Sequence, residues 1–146
     1  MAVRAYVSQV LLWFIPTWHK GRGIQAIDET MLPRLQKALA YIEEHLDEPM
    51  TARDVCGALS MGLSTFSRFF SAAVGMSLPA YVRLRRLGRA ALLLTQSSRS
   101  ITDIALDTGF SSASHLIACF KKQYNATPSH FRKLYASNAQ DPAGGT

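Results

Sequence analysis

Apolar residues recur at intervals of three and four along most of the chain, which is the period of a helix and not of a strand. From Leu32 to Leu46 the set Leu35, Leu39, Ile42 and Leu46 lines one face, with Glu43 and Glu44 outside it. Glu48-Pro49 ends that run, because the residue before a proline is pushed out of the helical region. Thr51 then stands three residues ahead of Asp54, a capping-box-like start, and predicts a short helix over Ala52 to Leu59. Ser60-Met61-Gly62 reads as a turn. Leu63 to Val74 predicts a second helix with Phe66, Phe69 and Phe70 on its buried side, closed by Gly75 as a left-handed cap.

The next element is the longest. Leu78 to Ser97 (LPAYVRLRRLGRAALLLTQS) predicts one uninterrupted helix with Pro79 just inside its start. Its first half carries Arg83, Arg85, Arg86 and Arg89 and no acid, while Ala90 to Leu94 is apolar on every side. Helical spacing groups Ala80, Leu84, Leu87, Ala91 and Leu94 as one stripe and Arg85, Arg86 and Arg89 on another face. After it the preceding pattern returns. Ser100-Ile-Thr-Asp103 is a second Ser-x-x-Asp start, and a short helix from Ile101 to Thr108 follows. Gly109-Phe110-Ser111 turns into a helix over Ser112 to Tyr124, where Asn125 takes the place of Gly75. Thr127-Pro128 starts a last helix with Phe131 and Leu134. By role, Val55 matches Ile104, Cys56 matches Ala105, Phe66 matches Leu116, Phe70 matches Phe120, and Tyr81 matches Phe131. The chain is an internal duplication joined by the long helix. Residues 137–146, ending in PAGGT, predict a disordered tail.

The opening differs in kind. Val3 to Trp18 is apolar and aromatic and predicts a helix, but its core run Val10 to Ile15 is too short to cross a bilayer and Pro16 interrupts it. No small-residue cleavage site follows at Trp18-His19-Lys20, which speaks against a secretory signal. Gly21-Arg22-Gly23 breaks the helix, and the stretch to Thr30 reads as a linker. Residues 1–30 are therefore expected to be an N-terminal helix and linker, either the remnant of a sensor or dimerisation region of a longer protein or a homodimer contact.

At 146 residues and 48% hydrophobic, the chain can bury a real core. The charge of +6 matters less than its placement. From Arg53 to Lys133 eleven bases face only Asp54, Asp103 and Asp107, while six of the remaining seven acids sit in the N-terminal third and Asp141 in the tail. Such a body suits a polyanion partner, nucleic acid first, or is an ordinary solvated basic surface; charge alone leaves both open. Cys56 and Cys119 are far apart among apolar neighbours, which fits reduced thiols in a cytoplasmic protein. His19, His45, His115 and His130 have no ligand spacing, and no nucleophile or paired-carboxylate arrangement is present. Neither an enzyme, a metal site nor a cofactor is expected.

A short helix, a tight turn and a longer helix make a helix-turn-helix, whose second helix can enter a DNA major groove. The residues also carry a resemblance. Ser64-Thr-Phe-Ser-Arg68-Phe-Phe70, Gly75-Met-Ser77, Tyr81-Val and Arg86-Leu87-Gly-Arg-Ala90 in the first unit resemble the DNA-binding domain of the AraC/XylS family of bacterial transcription regulators. In the second unit Ile101-Thr-Asp-Ile-Ala105, Gly109-Phe110, Ser114, Phe120-Lys-Lys122 and Thr127-Pro128 through Phe131-Arg132 are similar to it as well. The resemblance spans roughly Leu35 to Tyr135. It implies an all-α, seven-helix domain over 31–136 with helix-turn-helix units at 51–75 and 100–125, a connecting helix at 78–97 and a closing helix at 128–136. It further implies binding to double-stranded DNA near promoters, recruitment or blocking of RNA polymerase, and a nucleoid-associated cytoplasmic location.

The family's base-reading positions fall on Ser64, Ser67 and Arg68 in the first unit and on Ala113, Ser114, Ile117 and Ala118 in the second. Arg68 can contact guanine O6 and N7 bidentately, whereas Ala and Ile offer only apolar contact to a thymine methyl. The sequence departs from the family where a polar residue often stands at Ala113 and Arg at Ala118, and again in the turn, with Ser60 for Gly and Gly62 for a capping Ser. The first unit is thus expected to carry most of the readout and the second to position the protein. For phosphates the expectation is Arg83, by resemblance to a family backbone contact, then Lys121 and Arg132 by charge and position. Arg85 and Arg89 are either backbone contacts or solvated charge. Arg86 is expected to pair with an acid between the units. The rival function is a helical protein-interaction module whose basic face meets an acidic partner.

Overall fold

A computed structural model describes residues 30–139 of the chain. The N-terminal helix and linker expected over 1–29, and the tail from residue 140, lie outside the described residues. The chain divides into a unit at Met1–Leu32 and a unit at Pro33–Thr146, and the second holds both helix-turn-helix segments. Among the described residues there are seven helices and no strand: α1 (Met31–Glu44), α2 (Ala52–Leu59), α3 (Leu63–Val74), α4 (Leu78–Gln96), α5 (Ile101–Asp107), α6 (Ala113–Tyr124) and α7 (Pro128–Ala139). The last helix runs three residues past the expected boundary at 136, because Ser137, Asn138 and Ala139 contain no breaker and the next proline is Pro142.

Local chemistry starts each helix-turn-helix. Thr51 and Asp54 form the full reciprocal box at α2: the Asp54 N–H donates to Thr51 Oγ1 at 3.4 Å and the Thr51 N–H donates to Asp54 Oδ2 at 2.7 Å. Bonds from the Thr51 hydroxyl and N–H to the carboxylate hold Asp54 below its usual pKa. The second unit carries half of that device, with Ser100 Oγ accepting from the Asp103 N–H at 3.1 Å. Gly75 and Asn125 end α3 and α6 in equivalent left-handed conformations, φ 80° and 57°. Ser60 departs from glycine at the end of α2 yet still adopts φ 54°, and Gly62 begins α3 without a side-chain cap.

Two separate cores result. Ile42, Leu46, Val55, Phe66 and Phe70 anchor the first, and Ile104, Ala105, Leu116 and Phe120 the second. The duplication is visible in the rings: Phe70 meets Tyr81 edge-on at 5.6 Å, and Phe120 meets Phe131 edge-on at 5.2 Å. α4 serves both cores, giving Leu78, Tyr81 and Val82 to the first and Leu87, Ala90 and Leu94 to the second. This corrects the single stripe expected from periodicity. Ala80, Leu84 and Ala91 are only half-buried, because the helix packs on one side near its start and on another near its end. Arg83, Arg85 and Arg86 fall where the first core stops and the second has not begun. Cys56 is buried, which pushes its thiol pKa up, and Cys119 is half-buried; neither is in a disulfide.

Candidate nucleic-acid interface

On α3, Phe66, Phe70 and Ala73 face the core, so the helical period leaves Ser64, Ser67 and Arg68 exposed on the opposite side. Arg68 has no hydrogen bond or ion pair among the described residues, so its guanidinium is available to a ligand. α6 repeats the geometry fifty positions on. Leu116 and Phe120 are buried, while Ser114, Ile117 and Ala118 are exposed and Ala113 is half-buried. Ser64, Ser67 and Arg68 therefore occupy the same helical positions as Ser114, Ile117 and Ala118. The first surface is polar and cationic; the second presents a hydroxyl, a methyl and an isoleucine that is 38% exposed.

The remaining cations sort by what already holds them. Arg83 and Lys121 are exposed and make no hydrogen bond or ion pair among the described residues; the same is true of Arg89. Arg85 is not solvated charge: its Nε and Nη2 donate to the two carboxylate oxygens of Glu43 at 2.5 and 3.2 Å, tying α4 to α1. Arg86 finds backbone and not the expected acid. Its Nε donates to the Leu46 carbonyl at 2.8 Å and its Nη2 to the Glu48 carbonyl at 2.7 Å. The two carbonyls lie past the end of α1, where helical partners have run out.

Arg132, expected among the phosphate contacts, also bonds within the fold. Its Nε donates to the Leu94 carbonyl at 3.2 Å and its Nη2 to the Arg99 carbonyl at 2.6 Å. It satisfies the end of α4 much as Arg86 satisfies the end of α1, so its guanidinium is held within the fold. Arg99 itself pairs with Asp107 across the start and end of α5.

Sequence reasoning does not find His115. Ser112 caps α6 by accepting from the His115 N–H at 3.1 Å, and the imidazole stands edge-on to Phe110 at 5.3 Å with Nδ1 3.2 Å from Ser111 Oγ. The ring is exposed beside Ser114. Its one signal in the sequence is the Ser-Ser-x-Ser run ahead of it, which equally marks a helix start. Among the described residues no group of three His, Cys, Asp or Glu side chains could hold a metal, and no helix is long and apolar enough to cross a membrane.

Two helix-turn-helix units, each exposing one face of its second helix and set on opposite ends of a shared helix, define a bipartite DNA-binding fold. Comparison with known proteins narrows this. A family described as "Helix-turn-helix domain" matches residues 55–134. The chain is 39% identical over 98 residues to the uncharacterized HTH-type transcriptional regulator YbfP of Bacillus subtilis, covering 67% of this chain and 33% of that one. It is 34% identical over 98 residues to the regulatory protein SoxS of Escherichia coli, covering 67% of this chain and 92% of SoxS. Among solved structures, the DNA-binding domain of AdpA in complex with a target DNA superposes with a TM-score of 0.68 at 28% identity, over 76% of this chain and 98% of that one. An AraC-type regulator of Chromobacterium violaceum gives 0.68 at 28% identity, over 80% and 100%. The chain belongs to the AraC family, whose fold is that of DNA-binding transcription regulators. It spans about a third of the length of the first curated relatives it matches.

Proposed function

We propose that this chain regulates transcription by placing α3 and α6 in successive major grooves of duplex DNA. On this reading Ser64, Ser67 and Arg68 read bases from α3, and Ala113, Ser114, Ile117 and Ala118 meet bases from α6. Arg83 and Lys121 take phosphates. The observation that carries the proposal is the shared register of the two exposed faces on one connecting helix. The 19 residues of α4 span about 28 Å at 1.5 Å each, close to the roughly 34 Å of one duplex turn. First-unit dominance follows from chemistry, since only Arg68 among these residues can make a bidentate guanine contact. Bound DNA would then serve to recruit RNA polymerase or to block it.

The test is competition. A labelled duplex of random sequence is bound, then challenged with unlabelled duplex and with poly-glutamate at equal charge. Displacement by duplex at much lower concentration supports DNA binding, whereas equal displacement supports a module for acidic protein partners.

A further inference from the structure

The two helix-turn-helix units share no core residue, so the relative aim of α3 and α6 is not set by a common apolar interior. Besides α4 itself, a polar junction of three parts links them. The Leu46 carbonyl belongs to a residue of the first core. Arg86 projects from α4 and donates to it. Gly109 is the turn glycine of the second helix-turn-helix, at φ 84°. The packing there is tight enough that a Cβ on Gly109 would lie 2.6 Å from the Leu46 oxygen, 2.7 Å from Arg86 Nε and 2.9 Å from Arg86 Cζ. Glycine is therefore required twice, by backbone conformation and by close approach. Desolvation lowers the Arg86 pKa, with Asp47 opposing that effect, in keeping with a guanidinium drawn into the junction.

Apolar contact is non-directional, so a helix buried in two separate cores leaves the units some freedom to pivot about it. Hydrogen bonds from one planar guanidinium to two carbonyls are directional and resist that pivot. We propose that Arg86, seated on the Leu46 and Glu48 carbonyls beneath Gly109, fixes the angle between the two recognition helices and so sets which spacing of DNA half-sites the protein accepts. Arg86 is in this sense a positioning residue for specificity, although it touches no base. The inference rests on the proposed two-groove binding. One base pair moves a half-site by about 3.4 Å along the duplex and about a tenth of a turn around it. A rigid pair of helices loses base contacts on that displacement, and a pivoting pair does not.

The experiment uses the full chain, wild type and Arg86→Lys, which keeps the charge but replaces the rigid planar fork of Nε and Nη2 with a single flexible ammonium. Gly109→Asn is the second variant: asparagine tolerates the left-handed backbone but still brings a Cβ into the junction. Two readouts are taken. The first is the distance distribution between spin labels on exposed Ser71→Cys of α3 and Gln123→Cys of α6, with Cys56 and Cys119 replaced by alanine. The second is affinity for duplexes in which the two selected half-sites are moved apart or together by one and two base pairs. Wild type should show one narrow distance and a loss of about tenfold per base pair, the scale of one base contact. Arg86→Lys should broaden the distance distribution and flatten the spacing profile to under about threefold, with binding to the first half-site alone unchanged. Gly109→Asn should shift the distance and move the spacing optimum. An unchanged distribution and profile in both variants overturns the inference, as does a uniform loss of affinity at every spacing. If instead wild type selects no duplex, the two-groove reading fails, while the spin-label distances still report whether Arg86 sets the angle.

Discussion

The contrast between Arg132 and Arg83 turns the geometry of the site into a measurable crossing of effects. Arg132→Ala removes two charge-assisted hydrogen bonds, one from Nε to the Leu94 carbonyl at 3.2 Å and one from Nη2 to the Arg99 carbonyl at 2.6 Å. Bonds to a charged group stabilise by about 1.5–3 kcal/mol each when well shielded. The first is long and only partly buried and the second is exposed, and water can replace the donor at both carbonyls once the side chain is gone. About 2 kcal/mol for the pair is therefore the expected loss, or a fall in Tm of roughly 10 °C for a domain of this size. Arg83→Ala breaks no bond among the described residues and should leave Tm within about 2 °C. On DNA the order reverses. Loss of a phosphate contact at Arg83 should reduce the slope of log affinity against log salt by about 0.9, and Arg132→Ala should leave that slope unchanged. The assay is a thermal melt of each variant, followed by duplex binding at four salt concentrations below the melting range. If Arg132→Ala keeps its Tm and loses about 0.9 in slope, the guanidinium serves the phosphates after all and the division of labour between the two arginines is wrong.

Four further outcomes follow from other contacts of the fold. Arg68→Ala should relax selection at one base pair by about 1–3 kcal/mol, measured on duplexes substituted at each position, and should exceed the effect of replacing Ser114 and Ile117 together. Burial pushes the Tyr81 phenol up to about 12 from 10.0, with Arg85 opposing and Glu43 assisting. The unfolded chain therefore ionises first as pH rises, so this contribution is intact below pH 10 and is lost between about 10 and 12. Denaturant melts should show wild type losing about 2–3 kcal/mol more than Tyr81→Phe across that window; parallel curves would remove burial of the phenol as the cause. Gly62→Ser should add a side-chain cap to α3, where its Cβ meets nothing within 4 Å, and raise stability by a few tenths of a kcal/mol, whereas Thr51→Ala should lower it by about 1 kcal/mol.

The helices and the duplication are legible in the sequence because they rest on local chemistry: the period of Phe66 and Phe70, the Thr51–Asp54 box, and Gly75 and Asn125 in left-handed caps. The exposed faces of α3 and α6 are legible for the same reason, since a core face implies its opposite. Periodicity cannot show which of several arginines the fold will claim. Arg83, Arg85, Arg86 and Arg89 look alike in a string, and their fates depend on partners some forty residues away: Glu43 for Arg85, the Leu46 and Glu48 carbonyls for Arg86. An acid attracts expectation because it is visible in sequence, but an unsatisfied carbonyl past a helix end is an equally strong partner and has no letter of its own. Arg132 bonds to two such carbonyls, at Leu94 and Arg99. The α4 stripe departs from expectation for another reason, since one hydrophobic face is expected of a helix that must serve two cores.

On the proposed reading, two recognition helices of unequal chemistry meet two successive grooves from one shared support. Selection of bound sequences from random duplexes by the intact chain, repeated at two salt concentrations, tests it most directly. The expected result is a bipartite motif whose two blocks lie about ten base pairs apart, with most information in the block read by Ser64, Ser67 and Arg68 and a yield that falls steeply with salt. A single short block, an even division of information, or enrichment indifferent to salt would contradict it.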